Sequence, residues 1–320
     1  MAWRPELEVY GPECPTVRDI ESLNRLFSDS FTDRYRRDGL VGVRVPHLNP
    51  VIWRYALEDA GDGAMIWRDS EGQLAGFNMV HHSGSEGWMG PLAVRPDRQN
   101  AGLGKVMIPA GIEWLRERGV TTIGLETMPR TVENIGFYSR LGFVPAHMTV
   151  TLTRDLPRRG GALPEALSVS PDERAAQLAE CRGLTDRFAP KTDFTRELSL
   201  TQELRIGDTA LVRDGRRLRG FALWHSAPLA AGRPQEEVRV LKLVAEDLGT
   251  FESLVGAVQN AALAEGILRV GFRCQTAYGA AYSRLIDLGY RVHWTDLRMT
   301  LRGFHERVAG EGVVLSNWEI

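Results

Sequence analysis

Residues 88 to 115 read WMGPLAVRPDRQNAGLGKVMIPAGIEWL: an apolar, strand-like run ending at Val94, a polar loop holding two glycines, and an amphipathic helix. A helix start presents unpaired N–H groups and the positive end of its dipole, and glycines let the backbone approach a ligand closely. Gln99 to Gly104 can therefore cradle a pyrophosphate. Two other phosphate loops share this logic, and spacing excludes both. A nucleotide triphosphatase loop needs glycine five positions before the glycine of its Gly-Lys pair and Ser or Thr after the lysine, where this chain has Gln99 and Val106. A dinucleotide fingerprint needs a third glycine where Met107 stands.

What remains is Q-x-x-G-x-G, carried by Gln99, Asn100, Ala101, Gly102, Leu103 and Gly104. It resembles the coenzyme A pyrophosphate motif of the GNAT superfamily of N-acetyltransferases. PLAVRPD at 91 to 97 matches the family's fourth strand, and NIGFYSRLGF at 134 to 143 its late helix and turn, with Tyr138 four residues before Gly142. The resemblance covers nearly all of residues 5 to 155.

Several roles are implied by that resemblance. Acetyl-CoA would be the acyl-donor substrate, with no metal. Main chain of Leu92, Ala93 and Val94 would pair with the pantetheine arm between a splayed fourth and fifth strand, and an N–H there would polarise the thioester carbonyl. Gln99, Asn100, Ala101, Gly102, Leu103, Gly104 and Lys105 would hold the pyrophosphate. Asn134 would bond the cofactor or cap its helix, and Tyr138 would protonate the departing thiolate. The family places its general base variously. Glu86, next to the fourth strand, is the first candidate and His81 and His82 follow, though each also reads as a solvated hairpin residue. Trp88 stands where relatives often carry a base, so base work through a water is an alternative. Acceptor binding would fall to residues 27 to 39, with Phe31, Arg34, Tyr35, Arg36 and Arg37; these arginines suit a carboxylate-bearing acceptor or a solvated helix face.

The elements that must position these residues occur twice. GDGAMI at 61 to 66 answers GDTALV at 207 to 212, and QLAGFNMVHH at 73 to 82 answers RLRGFALWHS at 217 to 226. FYSRLGF at 137 to 143 answers YSRLIDLGY at 282 to 290, and MTVTLTRDL at 148 to 156 answers DLRMTLRG at 296 to 303. Such recurrence marks an internal repeat. The expected order in each half is strand, helices, three strands, helix, strand, helix, strand, an α/β (α+β) fold with a mixed sheet. The resemblance makes the two halves tandem GNAT-like acyl-CoA N-acyltransferase domains. Boundaries are expected at 1–156 for the acetyl-CoA-binding domain, 157–164 for a Pro- and Gly-rich linker, 165–305 for a degenerate copy, and 306–320 for a tail strand.

Helix starts are read at Ser170, with Pro171 and Glu173 as a capping box, and more weakly at Thr16 to Asp19. Pro109 should kink the helix after the glycine loop. The degenerate copy is read from an alignment that sets Glu252 and Leu254 near the places of Gly102 and Gly104, and from Tyr282 lying seven residues before Gly289 instead of four. VVLSNWEI at 313 to 320 reads as an added strand that could bring Trp318 or the carboxylate of Ile320 to the acceptor site.

Composition narrows the partners. A formal net charge of −2 offers no basic field for nucleic acid or anionic lipid. Three widely spaced cysteines, Cys14, Cys181 and Cys274, suit reduced, structural thiols. No export signal is read at the N-terminus, so the expected location is cytoplasmic. The function expected is N-acetyl transfer from acetyl-CoA to a primary amine on a small molecule, by direct transfer in a ternary complex; a homodimer is compatible with the sequence. The alternatives are a protein lysine or N-terminal acetyltransferase, and a catalytically silent CoA-binding sensor or interaction module.

Overall fold

A computed structural model describes residues 8–158 and 160–319. Both repeats fold through the expected order of elements. The first runs β1 (Val9–Glu13), α1 (Ile20–Arg37), α2 (Pro50–Ala60), β2 (Ala64–Asp69), β3 (Leu74–Ser83), β4 (Glu86–Val94), α3 (Gly104–Glu117), β5 (Thr122–Thr127), α4 (Val132–Arg140) and β6 (Phe143–Asp155). The second runs β7 (Glu165–Ala166), α5 (Pro171–Phe188), α6 (Thr195–Leu204), β8 (Gly207–Asp214), β9 (Arg217–His225), β10 (Val238–Ala245), α7 (Leu248–Ala264), β11 (Arg269–Gln275), α8 (Gly279–Asp287) and β12 (Arg291–Leu301). A last strand, β13 (Val313–Ser316), stands outside the repeat. Among the described residues no helix is long and apolar enough to cross a membrane.

Local chemistry sets the helix starts, with one correction to the sequence reading, at Ser170. The Thr16 capping box forms in full, Asp19 accepting the Thr16 N–H at 2.8 Å. Ser170 makes no side-chain cap, because the Ser168 hydroxyl donates to Glu173 at 2.8 Å instead. Pro109 is carried inside α3, which runs unbroken from Gly104 to Glu117; its missing N–H leaves the cradle-bearing first turn intact.

All the strands join one sheet in the order β1-β2-β3-β4-β5-β12-β6-β11-β10-β9-β8-β7, with β13 on β10. The order shows that the halves exchange their last strands. β12, from the second half, pairs with β5 of the first, and β6, from the first, pairs with β11 of the second. β6 and β12 then lie side by side from Arg291↔Thr153 to Leu301↔Phe143. Met299 and Leu301 of β12 are accordingly buried in the first half's core with Leu125, Tyr138 and Phe143. The helices repeat this contact, α2 packing on α6 through Ile52, Tyr55 and Leu200.

Each half also splays its sheet at one point. β4 pairs in parallel with β5 only from Glu86 to Met89. There the β3–β4 register slips between Val80↔Met89 and Asn78↔Leu92, an extra residue on β4 that forms a bulge at Gly90-Pro91. Gly90, at φ 140°, supplies a backbone conformation that side chains disfavour. Beyond it the outer edge of β4 has no strand beside it. The second half repeats the device: β10 pairs with β11 over Val238 to Val240, slips at Leu241, and splays. Here the opened edge is filled, because β13 pairs with Lys242 to Ala245.

After β13 the chain turns back toward the first half. Asn317 donates to the carbonyls of Leu241 and Arg273, and Glu319 is buried between Arg239 at 2.6 Å and His225 at 3.1 Å. Burial raises the Glu319 pKa, but Arg239 and His225 outweigh it and bring the carboxyl down to about 2. A folded pKa below the unfolded one stabilises above the unfolded value and is lost as pH falls through the folded one. Glu319→Gln should therefore cost about 3 kcal/mol at neutral pH. In chemical denaturation at stepped pH, the stability difference between native chain and variant should shrink as pH falls from the ordinary glutamate range to about 2, because the variant lacks Glu319's share of the acid loss.

Candidate active site

The splay of β4 from β5 opens into a cavity of about 980 Å³. One end is the glycine loop and helix start. Leu92, Ala93 and Val94 line it with the free edge of β4, and Gln99, Asn100, Gly102, Leu103, Gly104 and Lys105 follow. Ala101 is exposed and does not line the cavity. Asn100 and Gly102 both take positive φ, 63° and 101°, which turns the loop so that the first turn of α3 faces the opening. A Cβ on Gly102 would meet nothing within 4 Å, while one on Gly104 would lie 3.1 Å from the Phe137 ring. Gly102 thus leaves open space at the helix start, and Gly104 allows α4 to pack. The Gln99 side chain donates to the Val94 carbonyl at 3.1 Å, tying the loop to the end of β4.

Asn134 and Tyr138, one helical turn apart on α4, both line the same cavity. Tyr138 is buried against Phe137 and Phe143, and burial pushes its phenol up to about 12, so it stays protonated across the neutral range.

The sheet face opposite α3 carries the other polar groups. His81 is in register with Trp88 across β3 and β4, Trp88 with Gly124 across β4 and β5, and Glu126 lies two residues further along β5. Registered partners and i, i+2 residues share a face. Position 124 must be glycine, because a Cβ there would lie 2.5 Å from the Trp88 ring. His81, Trp88 and Glu126 all line the cavity.

This arrangement reorders the base candidates. Glu86 lies behind Trp88, outside the cavity lining: it accepts the Trp88 indole N–H at 2.7 Å and sits 3.9 Å from Arg298. His82 points to the other face and packs on Trp114, 5.4 Å between ring centres. His81, only 2% exposed, bonds Asp59 through Nδ1 at 2.8 Å, and its Nε2 has no partner. Burial alone would raise Asp59, but the His81 bond outweighs it and keeps the carboxyl ionised. An ionised carboxylate on Nδ1 places that ring proton there and leaves Nε2 as the basic nitrogen.

At the far end of the cavity Trp318 and residues of α1 were expected from the sequence, and Glu126, Arg273, Trp294 and Asp296 were missed. Glu126 and Asp296, on β5 and the exchanged β12, line it with Arg273, Trp294 and Trp318. Trp318 packs on Trp88 at 5.7 Å and near His81 at 6.3 Å, with the Lys242 ammonium 3.6 Å over its ring. Tyr35 of α1 meets Trp294 at 6.1 Å. Phe31, Arg34 and Arg37 also line the cavity and Arg36 does not. The arginines are already matched: Arg34 with Asp38 at 2.5 Å and Glu133 at 2.8 Å, Arg36 and Arg37 with Asp33 at 2.7 Å. The carboxylate of Ile320 lies outside the described residues.

The second half has no such cradle. Only Glu246 and Asp247 separate β10 from α7, so Glu252 and Leu254 fall inside the helix and not in a loop like that of Gly102 and Gly104. The alignment failed because the loop itself is missing. Asp247 caps α7 by accepting the Thr250 N–H at 2.7 Å, which puts a carboxylate where a phosphate would bind. Counting from each helix's first residue, the place of Tyr138 in α4 belongs to Leu285 in α8.

Comparison with known proteins agrees with this architecture. Residues 20–143 match the acetyltransferase (GNAT) family. Over 99 residues the chain is 31% identical to the [ribosomal protein bS18]-alanine N-acetyltransferase of Escherichia coli K12, covering 31% of this chain and 67% of that one. It is 32% identical over 90 residues to the mycothiol acetyltransferase of Clavibacter sepedonicus, covering 28% of this chain and spanning only 30% of that relative. A tandem GNAT protein from the clavulanic acid biosynthesis pathway shares the fold along 94% of this chain and 99% of its own, with TM-score 0.59 and 16% identity. The chain belongs to the acetyltransferase (GNAT) family and is built as two tandem GNAT folds.

Proposed function

We propose that this chain transfers an acetyl group from acetyl-CoA to a primary amine on a small molecule, at a site in its first half. The observation that carries this reading is one cavity joining the Gln99–Lys105 helix start, the free edge of β4, and a buried histidine with a carboxylate behind it. The free edge can pair with an amide-bearing arm as β13 pairs with β10. The helix start supplies N–H groups and dipole for a pyrophosphate, and Lys105 adds a cation.

In the proposed reaction His81 Nε2 takes a proton from the acceptor ammonium, since a charged amine is no nucleophile. The neutral nitrogen adds to the thioester carbonyl, the C–N bond forms as the C–S bond breaks, and Tyr138 protonates the sulfur. The second proton released by the nitrogen returns to the Tyr138 phenolate, leaving a neutral amide and a free thiol. Asp59 orients His81 and stabilises the imidazolium. In this scheme 1–156, completed by β12 from 165–305 and Trp318 from the tail, binds both substrates, and 165–305 has no cradle of its own. A silent CoA-binding module would gain nothing from the His81–Asp59 pair.

Thermal unfolding with and without acetyl-CoA tests the site. At about a hundred times its dissociation constant a ligand stabilises by about 2.7 kcal/mol. The native chain should show that shift and Gly102→Glu should lose all of it, because the second half offers no cradle. A full shift in the variant would place binding elsewhere; its unliganded melting point reports the strain of a side chain at φ 101°.

A further inference from the structure

The acceptor end of the cavity carries more buried negative charge than the protein itself balances. Glu126 is held by Arg273 and by Arg298 at 2.8 Å, and Arg273 also serves Asp296 at 3.1 Å. Arg298, fully buried, is shared further with Glu306 at 2.9 Å and Glu86 at 3.9 Å. Four carboxylates thus depend on two guanidiniums. Of the four, only Glu126 and Asp296 reach the cavity. Glu126 has both arginines and the Thr149 hydroxyl at 2.5 Å, which overcome burial and keep it ionised. Asp296 has half of one arginine and the Trp294 indole N–H at 3.1 Å. Burial and the neighbouring Glu126 outweigh Arg273 there and push its pKa up.

A second observation lies elsewhere on the same wall. His81 Nε2 is buried and unpartnered, on a residue that lines the cavity. His81 and Asp296 are on β3 and β12, three strand spacings or about 14 Å apart across the sheet. Asp296 lies four residues along β12 from Thr300, the strand partner in line with His81, Trp88 and Gly124, which adds about 13 Å along the strand and sets the two groups about 20 Å apart. Aromatic faces, Trp88 with Trp318 and Tyr35 with Trp294, lie along the intervening cavity.

We propose that the acceptor is an elongated small molecule with two cationic groups, one amine deprotonated at His81 and acetylated, the other held as a cation by Asp296. This rests on the acetyl-transfer reading above. The second cation supplies the charge that Asp296 lacks, and the aromatic walls take the apolar stretch between the two groups. An acceptor with a carboxylate in place of the second cation would meet Asp296 and Glu126 directly, since Arg34 and Arg37 are already paired.

The test is acetylation by the full chain of three acceptors of matched length: an α,ω-diamine, the corresponding monoamine, and the corresponding ω-amino acid. The ratio of kcat/KM for diamine over monoamine should be on the order of tenfold or more, carried by KM, with the amino acid poorest. In Asp296→Asn that ratio should fall to near one. Equal use of monoamine and diamine, a preference for the amino acid, or an unchanged ratio in the variant would overturn the second cation site while leaving acetyl transfer standing. No turnover of any of the three, with the acetyl-CoA melting shift intact, would overturn both.

Discussion

A chain ending at Leu156 should be recovered as aggregated or unfolded protein, without a cooperative melting transition. Although residues 1–156 carry the whole glycine loop and both His81 and Tyr138, they lack the strand that completes their sheet. β6 pairs only with β11 and β12, both from the second half, and β5 would be left with an open edge where β12 belongs. The buried Met299 and Leu301 would leave a gap against Tyr138 and Phe143. An unpaired edge beside exposed apolar surface is a template for aggregation. Co-expression of residues 1–156 with 157–320 should restore a soluble assembly that co-purifies and binds acetyl-CoA. A soluble 1–156 fragment with a sharp, cooperative melt would contradict the strand exchange.

The second large effect is expected at His81. His81→Gln keeps the side chain's length and a hydrogen-bonding group for Asp59, but removes the nitrogen that accepts a proton. General base catalysis contributes on the order of a hundredfold to ten-thousandfold, and kcat should fall within that range. The melting shift with acetyl-CoA should remain, because the glycine loop is untouched. Asp59→Asn should lower kcat less, through loss of ring orientation. Full activity in His81→Gln would move base work to another group, Glu126 being next in the cavity; its two arginines make it a poor base, since they hold it ionised below the usual glutamate range.

Much of this was legible in the sequence because the cues were local. The Gln99 to Gly104 loop announces itself by glycine spacing next to an apolar run, and the repeat gave the order of elements in both halves. The splay point was legible too, since Gly90-Pro91 inside a strand run signals a bulge, a signal the sequence reading passed over. Beyond Trp318 and the residues of α1, the far wall of the cavity was not. His81 and Asp59 are 22 residues apart, and Glu126 meets Arg298 across the exchange. β6 and β12 show the same alternation, so nothing local says which of the two lies beside β5. The favoured base, Glu86, was chosen for nearness to β4, but its side chain is taken by Trp88, two residues along the same strand, and by Arg298, which arrives only with β12. For the arginines of α1, Asp33 and Asp38 were legible partners three or four residues away, on the same helix or at its end, and only Glu133, from α4, was not.

The crossed strands also set a clock on synthesis. β5 is complete at Thr127, but the strand that must lie against it ends at Leu301, about 170 residues later. At translation rates of about 5 to 20 residues per second, the finished glycine loop and the unfinished sheet coexist on the ribosome for about 9 to 35 s. During that interval the nascent chain holds its glycine loop without β12, the strand that closes the cavity beside β5. Synthesis interrupted anywhere in the second half therefore yields no partial enzyme, and the late stretch of the chain decides whether the early one works.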